Sequence, residues 1–164
     1  MRYKKFSIFN FQFSNKGATL VEMLAVLAIA AILFVFVYEV FVNYNRGQAL
    51  EKSSAGVAAI LNEARGKTLA GRGAAQYGVH FASDSVTFFL GAVYNSSDPN
   101  NKTERLNSLA EISGINLNGG GSDAIFEKLT GATNQFGTII VRNKNNPAQT
   151  MTITIYQTGL IETK

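Results

Sequence analysis

A lone carboxylate stands at the head of a long apolar run, and the residues around it set the chemistry. Residues 16–23 read Lys16, Gly17, Ala18, Thr19, Leu20, Val21, Glu22 and Met23, and residues 24–42 continue almost wholly apolar. An ionised side chain at membrane depth costs roughly 2.5–3.5 kcal/mol at the bilayer centre and less near the interface. Glu22 therefore needs a partner. Cleavage after Gly17 would create one, an ammonium at Ala18, four residues before Glu22. The amine of one chain can then neutralise the carboxylate of its neighbour.

The element that must carry these groups is a helix. Residues 18–42 give 25 positions, and about 20 suffice to cross a bilayer. Beyond Asn43 and Gly47 the pattern turns amphipathic, with Leu50, Val57, Leu61, Ala64 and Thr68 recurring at helical spacing. Glu51, Lys52, Asn62, Glu63, Arg65 and Lys67 fall mostly off that stripe. The first Pro is Pro99, so nothing upstream forces a break. The spacing predicts one helix over residues 19–69, loosened around residues 43–47. An ordinary secretory signal would be cut after its apolar stretch at small residues. Here the proposed scissile bond precedes the stretch, and the helix stays with the mature chain. A plain single-pass anchor remains as a rival, but it leaves Gly17 and Glu22 without a role.

Gly17, Thr19, Leu20 and Glu22 resemble the prepilin-peptidase motif of type IV pilins, pseudopilins and bacterial competence pilins. Ala18 departs from the Phe or Met more usual at that position. The resemblance implies cleavage between Gly17 and Ala18 by a prepilin peptidase, a membrane aspartic enzyme, and N-methylation of Ala18 by the same enzyme. Lys16, Thr19, Leu20 and Glu22 would serve recognition and assembly. The implied partners are that peptidase, other pilin or pseudopilin subunits in a helical filament, an inner-membrane assembly platform, and membrane lipid before assembly.

Charge supports the same address. The chain holds 15 Lys and Arg against 11 Asp and Glu. Arg2, Lys4, Lys5 and Lys16 all lie in residues 1–17, which hold no acid, so removing them leaves a chain close to neutral. The basic balance thus belongs to the leader and not to a nucleic-acid-binding face. Such a leader favours a cytoplasmic N-terminus, with residues after about 43 exported. The chain has no Cys, which excludes disulfides and thiolate metal sites.

After residues 70–75 the periodicity switches from 3.6 to 2. Strands are expected at 77–81, 86–90, 103–109, 111–117, 124–129, 138–142, 151–156 and 160–163, with loops at 94–102 and 143–148. Gly119, Gly120 and Gly121 form a turn or hinge. The expected fold class is α+β: one long N-terminal helix, apolar then amphipathic, packed on a C-terminal antiparallel sheet. The organisation reads as a leader at 1–17, a transmembrane or filament-core helix at 18–42, an amphipathic helix at 43–70 and an exported β-rich domain at 71–164. Several stretches, among them residues 61–65, 76–81, 136–141 and 153–161, are similar to the minor pseudopilin group typified by GspH and FimT.

No residue pattern points to catalysis. His80 is the only histidine and sits in a strand pattern, where a packed or surface position is expected. Asp84, Asp98, Glu104, Glu111, Asp123 and Glu127 have no spacing that makes an acid–base dyad or a calcium loop. Asp98 and Asp123 lie in Gly- and Asn-rich stretches that could offer oxygens to a hard cation, but ordinary turns explain them, and no metal or cofactor is assigned. Gly71 and Gly73 lack the preceding strand and the Lys-Ser/Thr of a phosphate loop. A second function class gives Arg65, Lys67 and Arg72 to DNA phosphates, as in FimT-like minor pilins of natural transformation. Against it stands a solvated face that complements the helix C-terminus.

Overall fold

The structure, a computed structural model, describes residues 17, 19–71 and 76–164. Residues 1–16, Ala18 and residues 72–75, Arg72 among them, lie outside the described residues. Helix α1 runs over Leu20–Leu69 with no interruption at residues 43–47, so the expected loosening is absent. The chain divides into two compact units, Met1–Val40 and Phe41–Lys164.

In the first unit, every described side chain of α1 is solvent-facing. Val21, Leu24, Leu27, Phe34, Phe36 and Val37 each expose more than half of their surface. Burying a side chain of this kind is worth about 1.5–3 kcal/mol. An 18-residue window of the helix has a mean hydropathy of 2.9, long and apolar enough to cross a membrane.

The second unit holds all of the buried core found among the described residues. The rest of α1 buries Leu50, Val57, Leu61, Ala64 and Thr68, the predicted stripe, with Ala49, Ser53, Ser54 and Ile60 added. Eight strands follow: β1 (Tyr77–Phe81), β2 (Ser85–Leu90), β3 (Lys102–Arg105), β4 (Ala110–Leu117), β5 (Asp123–Ile125), β6 (Gly137–Asn143), β7 (Asn146–Ile155) and β8 (Ile161–Thr163). They form two four-stranded antiparallel sheets, ordered β3-β2-β1-β5 and β4-β6-β7-β8, where a single sheet was expected. Period-2 alternation sends Ile139 and Val141 of β6, and Ile153 and Ile155 of β7, into one core with Leu61 and Phe126. Strand β2 departs from alternation, with Val86, Thr87, Phe88 and Phe89 all buried. Its outer face is covered too: Thr87 bonds Thr103 at 2.8 Å, and Phe89 lies against Tyr94.

Three boundaries differ from expectation by more than a residue, each for a local reason. The strand expected at 103–109 stops at Arg105, because Asn107 builds a turn. Its side-chain oxygen accepts the Leu109 N–H at 3.0 Å, and its carbonyl accepts the Ala110 N–H at 2.8 Å. The strand expected at 124–129 shrinks to Asp123–Ile125, since Glu127 to Gly131 closes a turn with Leu129 in the left-handed region at φ 68°. The loop expected at 143–148 is much tighter. Asn143 accepts the N–H groups of Asn145 and Asn146, so β7 begins at Asn146.

Candidate functional site

Sequence pattern and exposure converge on the start of α1. Gly17 is exposed and outside the helix, as is Thr19. The Thr19 hydroxyl accepts the Glu22 backbone N–H at 3.2 Å, and the Thr19 carbonyl accepts the Met23 N–H at 3.1 Å. Thr19 is thus the N-cap, and it satisfies one of the donors that a helix leaves unpaired at its first turn. This role was legible and missed: Thr-x-x-Glu is the capping-box pattern. Helix α1 consequently begins one residue later than expected.

Glu22 falls in the first turn, where the positive end of the helix dipole favours a carboxylate. Its own oxygens take part in no ion pair or hydrogen bond among the described residues. The acid is therefore placed by its backbone, its charge unmatched among the described residues, beside exposed Leu20, Val21 and Met23. Lys16 and Ala18, the other two residues assigned to this motif, lie outside the described residues.

The remaining candidates are structural in setting. Lys67 pairs with Glu63 at 2.6 Å and sits 4.6 Å from the Phe88 ring centroid. Arg65 Nε donates to the Gly131 carbonyl at 3.4 Å. Two of the three cations offered to DNA thus have partners within the domain while staying partly exposed, and Arg72 lies outside the described residues. His80 Nδ1 bonds Asp123 Oδ1 at 2.6 Å, and its ring stacks on Tyr94 with centroids 3.9 Å apart. Asp123 belongs to strand β5 and is not a free loop carboxylate; Asp98 turns its oxygen onto the Asn100 amides. Glu63 is held below its ordinary value of 4.5 by the hydrogen bond from Lys67.

The family described as the prokaryotic N-terminal methylation motif matches residues 13–38. No curated protein sequence matches the chain. Among solved structures, the type IV minor pilin FimU of Pseudomonas aeruginosa is similar in two crystal forms. The TM-score is 0.55 in each, with 12% identity over 70% of this chain in one form and 13% over 76% in the other. Both cover 92% of the FimU chain, and at such identity the likeness is one of fold. The chain thus joins a prokaryotic N-terminal methylation motif to a fold like that of a type IV minor pilin.

Proposed function

We propose that the chain is made as an inner-membrane precursor, cut between Gly17 and Ala18 by a prepilin peptidase, and N-methylated at Ala18. The mature subunit enters a type IV pilus or a type II secretion pseudopilus by way of an inner-membrane assembly platform. Its N-terminus begins on the cytoplasmic side and its β-rich domain is exported. The apolar part of α1 lies first in lipid and then among the helices of other subunits. Glu22 sets axial register by pairing with the Ala18 amine of an adjacent subunit. Helices slide past one another at little cost in an apolar medium, whereas a desolvated charge pair has one position.

The observation that supports this reading most is a Glu22 carboxylate, unmatched among the described residues, at the head of an exposed apolar helix. The test uses the full chain in cells with an active assembly system. Glu22→Ala is expected to leave cleavage intact and to block entry into filaments, read by N-terminal mass and by recovery in sheared filaments. Gly17→Leu is expected to stop processing. Normal filaments from Glu22→Ala would end the register argument.

A further inference from the structure

Strand β3 ends the first sheet, and all four of its residues are exposed. The Leu106 N–H donates to the Asp84 carbonyl at 2.9 Å, one step beyond the register that sets Arg105 opposite Ser85. Bonded and unbonded pairs alternate in an antiparallel ladder. Lys102 and Glu104 therefore give their main-chain groups to β2, whereas those of Thr103 and Arg105 point away from it. Among the described residues nothing meets these outward groups. Such an edge is a template for another strand.

A cleft of about 290 Å³ opens between this edge and α1. Two core residues, Val57 and Val86, lie at its base. Lys52 and Glu104 both line it, yet neither forms an ion pair or a side-chain hydrogen bond among the described residues. Ser53 also lines it and is only 7% exposed. The Ser53 oxygen accepts the Asn107 N–H at 3.1 Å, and its own proton has no acceptor among the described residues. A methyl on Gly56 would stand 3.1 Å from Glu104 Oε1, so the glycine leaves room for that carboxylate beside the helix. The cleft thus offers two donors, Lys52 and Ser53, and one acceptor, Glu104, over an apolar base. A primary carboxamide matches that set, since its oxygen accepts, its NH2 donates, and it carries no net charge to desolvate.

We propose that the β3 edge and this cleft bind an extended peptide segment of another protein by strand addition, with an Asn or Gln side chain seated in the cleft. The main chain of the segment pairs with Thr103 and Arg105, and the pocket beside the edge supplies specificity. The faces of β3 fix which residue enters. Glu104 and Lys102 face α1, the latter 3.9 Å from Glu63, whereas Thr103 faces the other way onto Thr87. A residue of the added strand opposite Glu104 shares its face and points into the cleft. Leucine there leaves the Ser53 proton and Glu104 unmet, and glutamate sets two carboxylates side by side. The surface lies wholly within Phe41–Lys164, so it stands whether or not the chain enters a filament.

The test uses the full chain in detergent micelles and a fluorescent peptide, Thr-Val-Gln-Val-Thr, with sister peptides carrying Leu or Glu at the centre. Anisotropy gives affinity, and hydrogen exchange locates the contact. The Gln peptide is expected to bind at least about tenfold more tightly than either sister. It should slow exchange of the Thr103 and Arg105 amides. Glu104→Ala, at an exposed position, should bring the Gln and Leu peptides within about twofold of each other. Arg105→Ala keeps the outward N–H and should bind like wild type. Arg105→Pro removes that N–H at an edge, where proline is tolerated, and should lose at least about fivefold. Unchanged exchange protection in β6 shows that each variant is folded; should Arg105→Pro unfold, Glu104→Ala and the sister peptides still decide. No binding of the Gln peptide up to about 5 mM overturns the site. So do equal affinities for the Gln and Leu peptides, protection away from β3, or equal binding by folded Arg105→Pro and Arg105→Ala.

Discussion

Substituting Gly159 by Ala should cost far more than substituting Gly120, although both glycines occupy the left-handed region. Gly159 has φ 78° and Gly120 has φ 74°, so backbone strain is nearly the same, about 1–2 kcal/mol for an L side chain. Their surroundings differ. A methyl on Gly120 meets no atom within 4 Å. A methyl on Gly159 would overlap the Gly131 carbonyl oxygen and come within 2.9 Å of Arg65 Nε. It would push apart the turn that receives Arg65, adding an overpacking cost of about 1–3 kcal/mol and the loss of a long hydrogen bond worth about 1 kcal/mol. The expected total is about 3–6 kcal/mol for Gly159→Ala against about 1–2 kcal/mol for Gly120→Ala. The first figure is a large share of a domain stability of about 5–15 kcal/mol. Urea unfolding of residues 41–164, the unit that holds the buried core, measures the difference. With a slope of about 1–3 kcal/mol per molar, the midpoints of the two variants should separate by about 1 M or more. Equal midpoints would refute the close approach of the two turns.

Other perturbations probe the helix start, the exposed ion pair and the sheet edge. Thr19→Val should remove the cap at a cost of about 0.5–2 kcal/mol to the first turn, and Thr19→Ser should keep it. Hydrogen exchange at the Glu22 amide of the chain in micelles reads this, and unchanged protection in Thr19→Val would count against the cap. Because Lys67 depresses the Glu63 carboxyl in the folded state, the pair stabilises fully above the ordinary carboxylate value of 4.5. That contribution disappears as pH falls through the lower folded value. The pair is exposed, so Glu63→Gln should cost no more than about 0.5 kcal/mol at pH 7 and nothing at pH 2; an undiminished cost at pH 2 would show the effect is not electrostatic. Asp123→Ala should loosen the three-residue strand β5 by about 1–2 kcal/mol. A double-mutant cycle with His80→Ala should return a coupling of at least about 0.5 kcal/mol, and strict additivity would deny the contact.

Much of the molecule is written locally. The N-terminal motif, the apolar run and the stripe from Leu50 to Thr68 depend on residue order within one helix, and periodicity exposes them directly. The alternation of β1 and β6 is legible for the same reason, since side chains two apart share a face. What tertiary structure alone decided depends on partners far away in the chain. Two sheets replace one because strand pairing is non-local: β5 pairs with β1 across more than forty residues, and β4 pairs with β6. The buried outer face of β2 needs Tyr94 and Thr103 brought over it, which no period within β2 reveals. Lys67 and Arg65 read as free cations until the fold supplies Phe88 and the Gly131 carbonyl. Residue order therefore determined the helix, its polarity and the acid in its first turn, because those follow from neighbours a turn away. Long-range packing determined which charges find partners within the domain, as Lys67 and Arg65 do.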